Sequence, residues 1–288
     1  MSKINFLAIF ISVFTSSAIF AQDQYSYRGF DAPVSVTQYG GYFYLSNAGE
    51  RDNRYVKNGN GYISRVKSDG SQENVTMKYI TGLNSPHGIC ALQGKLYICD
   101  VDHVVGIDLQ SKKKIFELNF SGEGTKQLTG IVAADNNTLY VSATDIDAIY
   151  KVDIGKQAFE RWMETVSPTT MLINNNKMYV TSFGTDSLPN GKLGVIDMLK
   201  ETYQQLGDYE GYLWGLALDG QKLYFCDWVT FGNRGVIRWL NLESGDSGQV
   251  KLTTRMGGPA DFIYDSRNDV FIVPALLEGV VYGAIGFK

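Results

Sequence analysis

The stretch SPHGICALQGKLYICDVDHVVGIDL, residues 85–109, decides the fold because its pattern recurs along the chain. A proline opens an apolar run, a polar turn follows at residues 93–95, and a second run containing Tyr97 ends at Asp100. Short apolar runs separated by turn residues predict a β-hairpin. A third run from His103 adds another strand.

Six copies of this unit can be aligned. Their second strands read FYLSN, LYICD, LYVSA, MYVTS, LYFCD and VFIVP, beginning at Phe43, Leu96, Leu139, Met178, Leu223 and Val270. First strands are predicted to start at Pro33, Pro86, Leu128, Pro168, Leu213 and Pro259, at spacings of 53, 42, 40, 45 and 46 residues. A third strand follows each second strand, and a fourth, more polar strand follows in five units. One such sheet cannot cover its own apolar faces, so this period predicts propeller blades.

The sixth unit has no fourth strand before Lys288, whereas residues 24–30, QYSYRGF, precede the first unit. We expect this segment to supply the missing strand. The sequence therefore predicts an all-β fold: a six-bladed β-propeller with four antiparallel strands per blade, closed by the N-terminal strand. No linker interrupts residues 22–288, which we expect to form a single domain.

Residues 1–21 have a different character. They contain one charge, Lys3, then an apolar stretch to Phe20 and a small residue, Ala21. This order is typical of a secretory signal peptide cleaved after Ala21. An uncleaved membrane anchor is the alternative, but the stretch is barely long enough to span a bilayer and contains several hydroxyl residues. We therefore expect a periplasmic or secreted protein, with no membrane insertion after cleavage.

The net charge and the cysteine content limit which binding partners and which disulfides we expect. A net charge of −4 argues against nucleic acid or an anionic membrane surface as a partner. The three cysteines, Cys90, Cys99 and Cys226, are an odd number for an oxidising compartment. Cys90 and Cys99 would have poor disulfide geometry across one hairpin, so we expect each cysteine to be a small buried side chain. We expect a monomer.

The repeat pattern resembles the six-bladed propellers of the SMP-30/gluconolactonase, NHL-repeat and strictosidine-synthase-like group, often joined with TolB in one superfamily. PHGI at residues 86–89, followed by YICD, is also similar to streptogramin (virginiamycin B) lyase, whose ring has seven blades. The resemblance to lactonases implies a divalent ion held by Glu, Asn and Asp at strand starts. Only Asp261 here is a candidate acid, one residue out of register, so that metal set does not transfer.

In such propellers the starts of the first strands and the loops between second and third strands surround one mouth of the central channel. Loops on a rigid scaffold commonly carry function. The strand starts contribute Val34, His87, Thr129, Thr169, Trp214, Ala260 and Asp261. The loops contribute Asn47, Asp100, Asp102, His103, Asp145, Asp147, Ser182, Asp186, Asp227 and Trp228.

Both histidines of the chain fall in the second unit, and the candidate catalytic residues are His87, His103 and Asp100. Two imidazoles beside carboxylates could bind a divalent transition metal, or form a base oriented by an acid. The alternative is turn chemistry, since DIDAIYKVD from Asp145 repeats DVDHVVGID without the histidine, and such carboxylates accept hydrogen bonds from loop N–H groups. A divalent metal is therefore a candidate cofactor without an identified ligand set.

Other residues are candidates for ligand contact. They are Asn47, Thr169, Trp214, Asp227, Trp228 and Asp261. An aromatic face could stack on a sugar or another flat ligand. Packing between blades is the favoured alternative for Trp214, whereas Trp228, in a long loop, is expected to be exposed. Two long loops, residues 46–61 and 182–191, are expected to rise over the mouth, and Arg51, Arg54, Tyr55 and Lys57 give the first a mixed charge.

Two functions follow from these patterns. The first is a binding protein whose loop-covered channel mouth recognises a small molecule, a glycan or a protein. The second is a lactonase-type hydrolase or a lyase that uses the histidine and aspartate cluster at the same mouth.

Overall fold

The computed structural model describes residues 25–53, 55–69, 75–252 and 255–285. The predicted signal peptide and Arg54 of the first long loop lie outside these ranges.

Strands account for nearly all the regular structure in these ranges. Strand β1 (Tyr25–Arg28) comes before the first blade. Blade 1 contains β2 (Pro33–Tyr39), β3 (Tyr42–Asn47), β4 (Gly61–Lys67) and β5 (Val75–Leu83). Blade 2 contains β6 (Pro86–Leu92), β7 (Lys95–Asp100), β8 (His103–Asp108) and β9 (Lys114–Asn119). Blade 3 contains β10 (Leu128–Ala133), β11 (Thr138–Ala143), β12 (Ala148–Asp153) and β13 (Ala158–Glu164).

The second half of the chain repeats this arrangement. Blade 4 contains β14 (Pro168–Asn174), β15 (Lys177–Ser182), β16 (Leu193–Asp197) and β17 (Thr202–Gln205). Blade 5 contains β18 (Leu213–Asp219), β19 (Lys222–Asp227), β20 (Val236–Asn241) and β21 (Ser247–Gln249). Blade 6 contains β22 (Ile263–Asp265), β23 (Val270–Ala275) and β24 (Val280–Ile285). Two short 3-10 turns, Ser121–Glu123 and Thr144–Ile146, are the helical segments of the described chain.

Each blade is a four-stranded antiparallel sheet, and the sixth is completed by β1 in the order β1-β24-β23-β22. Strand β1 pairs with β24 from Tyr25 opposite Gly283 to Arg28 opposite Val280. The six-bladed propeller closed by the N-terminal strand is therefore confirmed.

The sixth blade departs from the predicted strand start. Its first strand begins at Ile263, and Pro259 makes only an isolated bridge to Ala275. The backbone N–H of Asp261 leaves the sheet and donates to the carbonyl of Val34 in blade 1, 2.9 Å away. This bond between blades interrupts the strand where the ring closes.

Small polar side chains join neighbouring blades near the ends of the second strands. Ser46 Oγ donates to the carbonyl of His87 in blade 2 at 2.5 Å, and Ser142 Oγ donates to the carbonyl of Thr169 in blade 4 at 2.6 Å. Cys226 takes the equivalent place in blade 5, where its buried thiol donates to the next blade. All three cysteines are free, and Cys90 is only half-buried. The recurring Ser, Thr or Cys therefore serves both tight packing and hydrogen bonding.

Candidate functional site

Residues 48–53 and 55–60, in the connection between β3 and β4, form a compact loop on the rim where first strands begin and second strands end. We call this rim the mouth and this connection the lid loop. Its two ends meet, because Gly49 packs directly against the backbone of Asn60. Glu50 accepts hydrogen bonds from the side-chain amides of Asn58 and Asn60. The lid loop is thus an Ω-loop held largely by its own side chains.

Tyr55 is the central contact of the lid loop. Its ring lies nearly parallel to the imidazole of His87 in blade 2, with centroids 4.9 Å apart and planes inclined by 13°. The Tyr55 hydroxyl accepts a hydrogen bond from the amide of Gln127 in blade 3, 2.5 Å away. Lys57 Nζ lies 2.6 Å from a carboxylate oxygen of Asp102 in blade 2. The lid loop of blade 1 therefore reaches across to two further blades.

His87 is completely buried beneath the lid loop. Its Nδ1 lies 2.9 Å from the carbonyl oxygen of Ser85. A carbonyl can only accept, so Nδ1 carries the proton of this bond. The ring is consequently fixed in orientation below Tyr55.

The Asp100 carboxylate is engaged in hydrogen bonds to backbone N–H groups. It accepts hydrogen bonds from the backbone N–H of Asn84 at 3.0 Å and from that of Ser85 at 2.6 Å, just before β6 begins. Burial raises the pKa of Asp100, and these hydrogen bonds oppose the rise. Asp145 in blade 3 similarly accepts the N–H of Lys126 at 2.7 Å. These contacts agree with the turn-chemistry interpretation of the repeated aspartates.

Asp102 and His103 form a close pair. Asp102 Oδ1 lies 2.6 Å from His103 Nδ1, and the other oxygen of Asp102 binds Lys57. Partial burial disfavours the charged carboxylate, but hydrogen bonds from Lys57 and His103 outweigh it and lower the pKa of Asp102. The His103 side chain is 25% exposed, so solvent reaches the imidazole. In the described chain no three His, Cys, Asp or Glu side chains are arranged to hold a metal ion.

The two tryptophans belong to a buried aromatic cluster. Trp228 and Trp214 stack with centroids 5.7 Å apart, and Phe183 meets both edge to face. Trp228 is wholly inaccessible, and its indole N–H donates to the carbonyl of Pro259 at 2.8 Å. The expectation that Trp228 is exposed is therefore wrong. Its loop turns back over blade 5, and Phe231, which is 55% exposed, covers the cluster instead.

Three further ligand candidates take part in the framework. Asn47 donates its amide to the carbonyl of Leu45 and to the Ser64 hydroxyl. The Thr169 hydroxyl lies 3.0 Å from the Thr181 carbonyl and 3.1 Å from the Leu213 carbonyl. Asp227 is buried and accepts two bonds from one guanidinium, that of Arg238. Each of these side chains helps to hold the mouth in shape.

Asp261 lies inside the channel. Its carboxylate accepts hydrogen bonds from Ser35 of blade 1 at 2.7 Å and from Thr170 of blade 4 at 3.3 Å. Enclosure by protein raises the pKa of Asp261 to about 6, against the lowering effect of the two hydroxyl donors. Asp261 thus links blade 6 to two other blades.

Some important side chains could not be recognised from the sequence. Gln127 precedes β10 in an ordinary polar turn, and no repeat marks it as the partner of Tyr55. The sequence pattern assigns Tyr55 only to a mixed-charge loop. The signal that could have found it is its position, since a single large aromatic within a long polar loop must pack on something.

Comparisons with known proteins give the fold only. No family model and no curated protein sequence matches the chain. An auxiliary nutrient binding protein from Bacteroides thetaiotaomicron superposes with a TM-score of 0.67, 12% identity, and coverage of 90% of this chain and 70% of that chain. Kuenenia stuttgartiensis hydrazine synthase gives 0.63, 17% identity, and coverage of 85% and 74%. A chain of a nidogen/laminin complex gives 0.59, 14% identity, and coverage of 78% and 89%.

Helices long and apolar enough to cross a membrane are not found within the described ranges.

Proposed function

We propose that this protein is an extracytoplasmic binding protein whose lid loop opens to admit a small molecule, a glycan or a protein partner at the mouth. The observation that carries the proposal is the seating of Tyr55 on His87. The lid loop closes over a fully buried imidazole with an aromatic ring, as a ligand with a flat face would. Export of the chain rests on the signal-peptide pattern of residues 1–21.

The forces that hold the lid loop down are weak. Among them are the Tyr55–His87 stack, the Gln127 hydrogen bond and the ion pair of Lys57, whose side chain is 48% exposed. Contacts of these kinds contribute about 1 kcal/mol each or less, so opening costs a few kcal/mol. Lids that admit ligands are drawn from such weakly held segments.

The similar folds support the class of function in a coarse way. One similar structure is named as a nutrient binding protein, and another belongs to a complex between proteins. Propellers serve many functions, so the lid loop and the mouth of this chain support its proposed function more than the fold does.

A hydrolase or lyase is the second candidate, and the Asp102–His103 pair favours it. A carboxylate 2.6 Å from Nδ1 orients an imidazole as a general base, and His103 is open to solvent. Its Nε2 would then take the proton from a water molecule or from the substrate. Lys57 of the lid loop binds the other oxygen of the same carboxylate, so the ion pair and the Asp102–His103 hydrogen bond exist together.

Thermal-shift measurements test the binding proposal. Wild-type protein and Tyr55→Ala are titrated with neutral mono- and disaccharides, amino acids and nucleosides. We expect at least one compound to raise the melting temperature of the wild type and to bind Tyr55→Ala at least about fivefold more tightly, because the Tyr55 ring no longer competes with the ligand for the face of His87. Tyr39→Ala is the matched control, because Tyr39 is 39% exposed at the opposite rim and should leave binding unchanged.

Two results would overturn the proposal: no compound stabilises the wild type, or the two tyrosine variants bind alike. Hydrolysis of an aldonolactone, assayed in the wild type and in His103→Gln, tests the alternative. Turnover that is lost in His103→Gln, with an unchanged melting temperature, would favour the enzyme.

A further inference from the structure

A pocket lies on the outer flank of blade 5, away from the lid loop. Its volume is about 580 Å³, and its walls come from the start of β20, the end of β21 and the loops on either side. Pockets of this size are typical of sites for small molecules. No described residue of the lid loop lines this pocket, and Asp227 at the mouth contacts it through Arg238.

Three arginines line the pocket: Arg234, Arg238 and Arg255. The lining residues within the described chain include no aspartate or glutamate, although the chain as a whole carries a net charge of −4. Arg234 and Arg255 are exposed and form no ion pair with any carboxylate in the described chain. The positive guanidinium groups repel one another, and an anion bound between them would offset this electrostatic repulsion.

The buried carboxylate of Asp227 holds the Arg238 guanidinium in place. Its Nε and Nη2 lie 3.1 and 2.9 Å from one oxygen of the buried Asp227. Asp227 also accepts the backbone N–H of Val229 at 2.8 Å, and Val229 forms part of the pocket wall. A guanidinium has five N–H donors, so three remain for a ligand. Asp227 is therefore a positioning residue: it fixes the Arg238 guanidinium and also the part of the pocket wall that Val229 forms.

The remaining lining suits the body of a small organic ligand. Val236, Val250 and Leu252 supply an apolar surface, and Gln249 adds an amide that can both donate and accept. Arginine forks match the planar or tetrahedral oxygen groups of carboxylates, sulfates and phosphates better than a lysine does. We propose that this pocket is a binding site for a small ligand bearing an oxyanion group, held by Arg234, Arg238 and Arg255.

Isothermal titration calorimetry at low ionic strength tests this site, with glucuronate, glucose 6-sulfate, glucose 6-phosphate and neutral glucose as probes. We expect at least one anionic probe to bind at least about tenfold more tightly than glucose. The probe that binds best distinguishes a carboxylate from a sulfate or a phosphate ligand. Binding should weaken as salt is added.

Variants separate the pocket from general surface charge. The double variant Arg234→Gln/Arg255→Gln should weaken binding of the anionic probe at least about tenfold, because both side chains are exposed and can be changed without disturbing the core. Arg267→Gln removes the same kind of charge from an exposed turn between β22 and β23 and should bind as the wild type does. Tyr55→Ala should also bind the probe normally, since the lid loop does not line this pocket.

The proposal fails if no anionic probe binds better than glucose, or if the double variant binds as tightly as the wild type. Arg238→Lys gives an independent check, because it keeps the charge but loses the fork. We expect weaker binding with a melting temperature close to that of the wild type, and unchanged binding would contradict the role given to Arg238.

Discussion

The carboxylate of Asp261 in blade 6 accepts a hydrogen bond from the hydroxyl of Thr170 in blade 4, 3.3 Å away. It also accepts one from Ser35 in blade 1 at 2.7 Å. Blades 1 and 4 face each other in a ring of six, so these bonds run across the central channel. A single acidic side chain thereby links three blades at the axis of the propeller.

Asp261 should make the stability of the protein depend on pH. The pKa of Asp261 is raised to about 6 in the fold, whereas an unfolded aspartate titrates near 4. The folded state therefore holds more protons between these values, and its stability falls as pH rises from about 4 to above 6. We expect this contribution to amount to about 3 kcal/mol. Urea unfolding of the wild type and Asp261→Asn across this pH range measures it.

The asparagine variant supplies the control, since its side chain does not titrate, although its amide oxygen replaces only one of the two carboxylate oxygens that accept from Ser35 and Thr170. The wild type should lose stability relative to Asp261→Asn as pH rises. A difference in unfolding free energy that stays constant between pH 4 and about pH 7 would contradict the raised pKa.

Trp228 should be a major contributor to stability rather than a ligand contact. It is fully buried against Trp214 and Phe183. Trp228→Ala removes this packing and is expected to cost about 3–5 kcal/mol in unfolding free energy. Phe231→Ala, at the exposed edge of the same cluster, should cost less than about 1 kcal/mol. Equal effects of the two variants in chemical denaturation would show that Trp228 is not packed as described.

Gly130 marks a close approach between first strands. A Cβ at this position would lie 2.1 Å from the carbonyl oxygen of Thr169 in the next blade. Gly130→Ala should therefore push blades 3 and 4 apart and lower the unfolding free energy by more than about 2 kcal/mol. At Gly122 a Cβ meets nothing within 4 Å, so Gly122→Ala should be nearly neutral. Thermal melting of both variants decides the matter, and a neutral Gly130→Ala would refute the close approach.

Closure of the ring by β1 can be tested by truncation. Tyr27 and Phe30 are buried with Val36, Phe43 and Val281, and the backbone of β1 completes the sheet of blade 6. Removing residues 1–30 leaves the edge of β24 open, and we expect a large loss of stability or association through that edge. A chain that begins at Gln24 keeps β1 and serves as the control. Identical melting of the two chains would exclude closure by this strand.

The repeat pattern predicted the propeller well because each blade is encoded locally. The runs around Leu96 and Leu139 fall within β7 and β11, and the strands of blades 2 and 3 lie within a residue or so of their predicted bounds. The prediction was less accurate in blade 6, where Pro259 still bridges Ala275 but the backbone N–H of Asp261 donates to Val34 of blade 1. Local pattern cannot reveal such a bond, since Val34 lies more than 200 residues away in the sequence.

The candidate site was predicted less completely than the fold. The sequence indicated which residues follow each strand, and therefore which belong to the mouth. It did not indicate that Asp100 is occupied by backbone N–H groups, or that Trp228 turns inward. These contacts depend on the conformation of the loop that follows each strand, and loop sequences have no periodic hydrophobic pattern from which that conformation could be predicted.

The sequence by itself determined the number of blades, the order of their strands and the segment that closes the ring. Alternation of apolar residues and turn residues fixes these features within each unit, and burial of both faces of each sheet fixes the ring. Only the tertiary structure decided that Tyr55 covers His87, that Asp261 reaches Thr170, and that three arginines share one pocket. The first two relationships join residues from different blades, and the third joins a strand of blade 5 to the loops on either side, so each exists only in the folded chain.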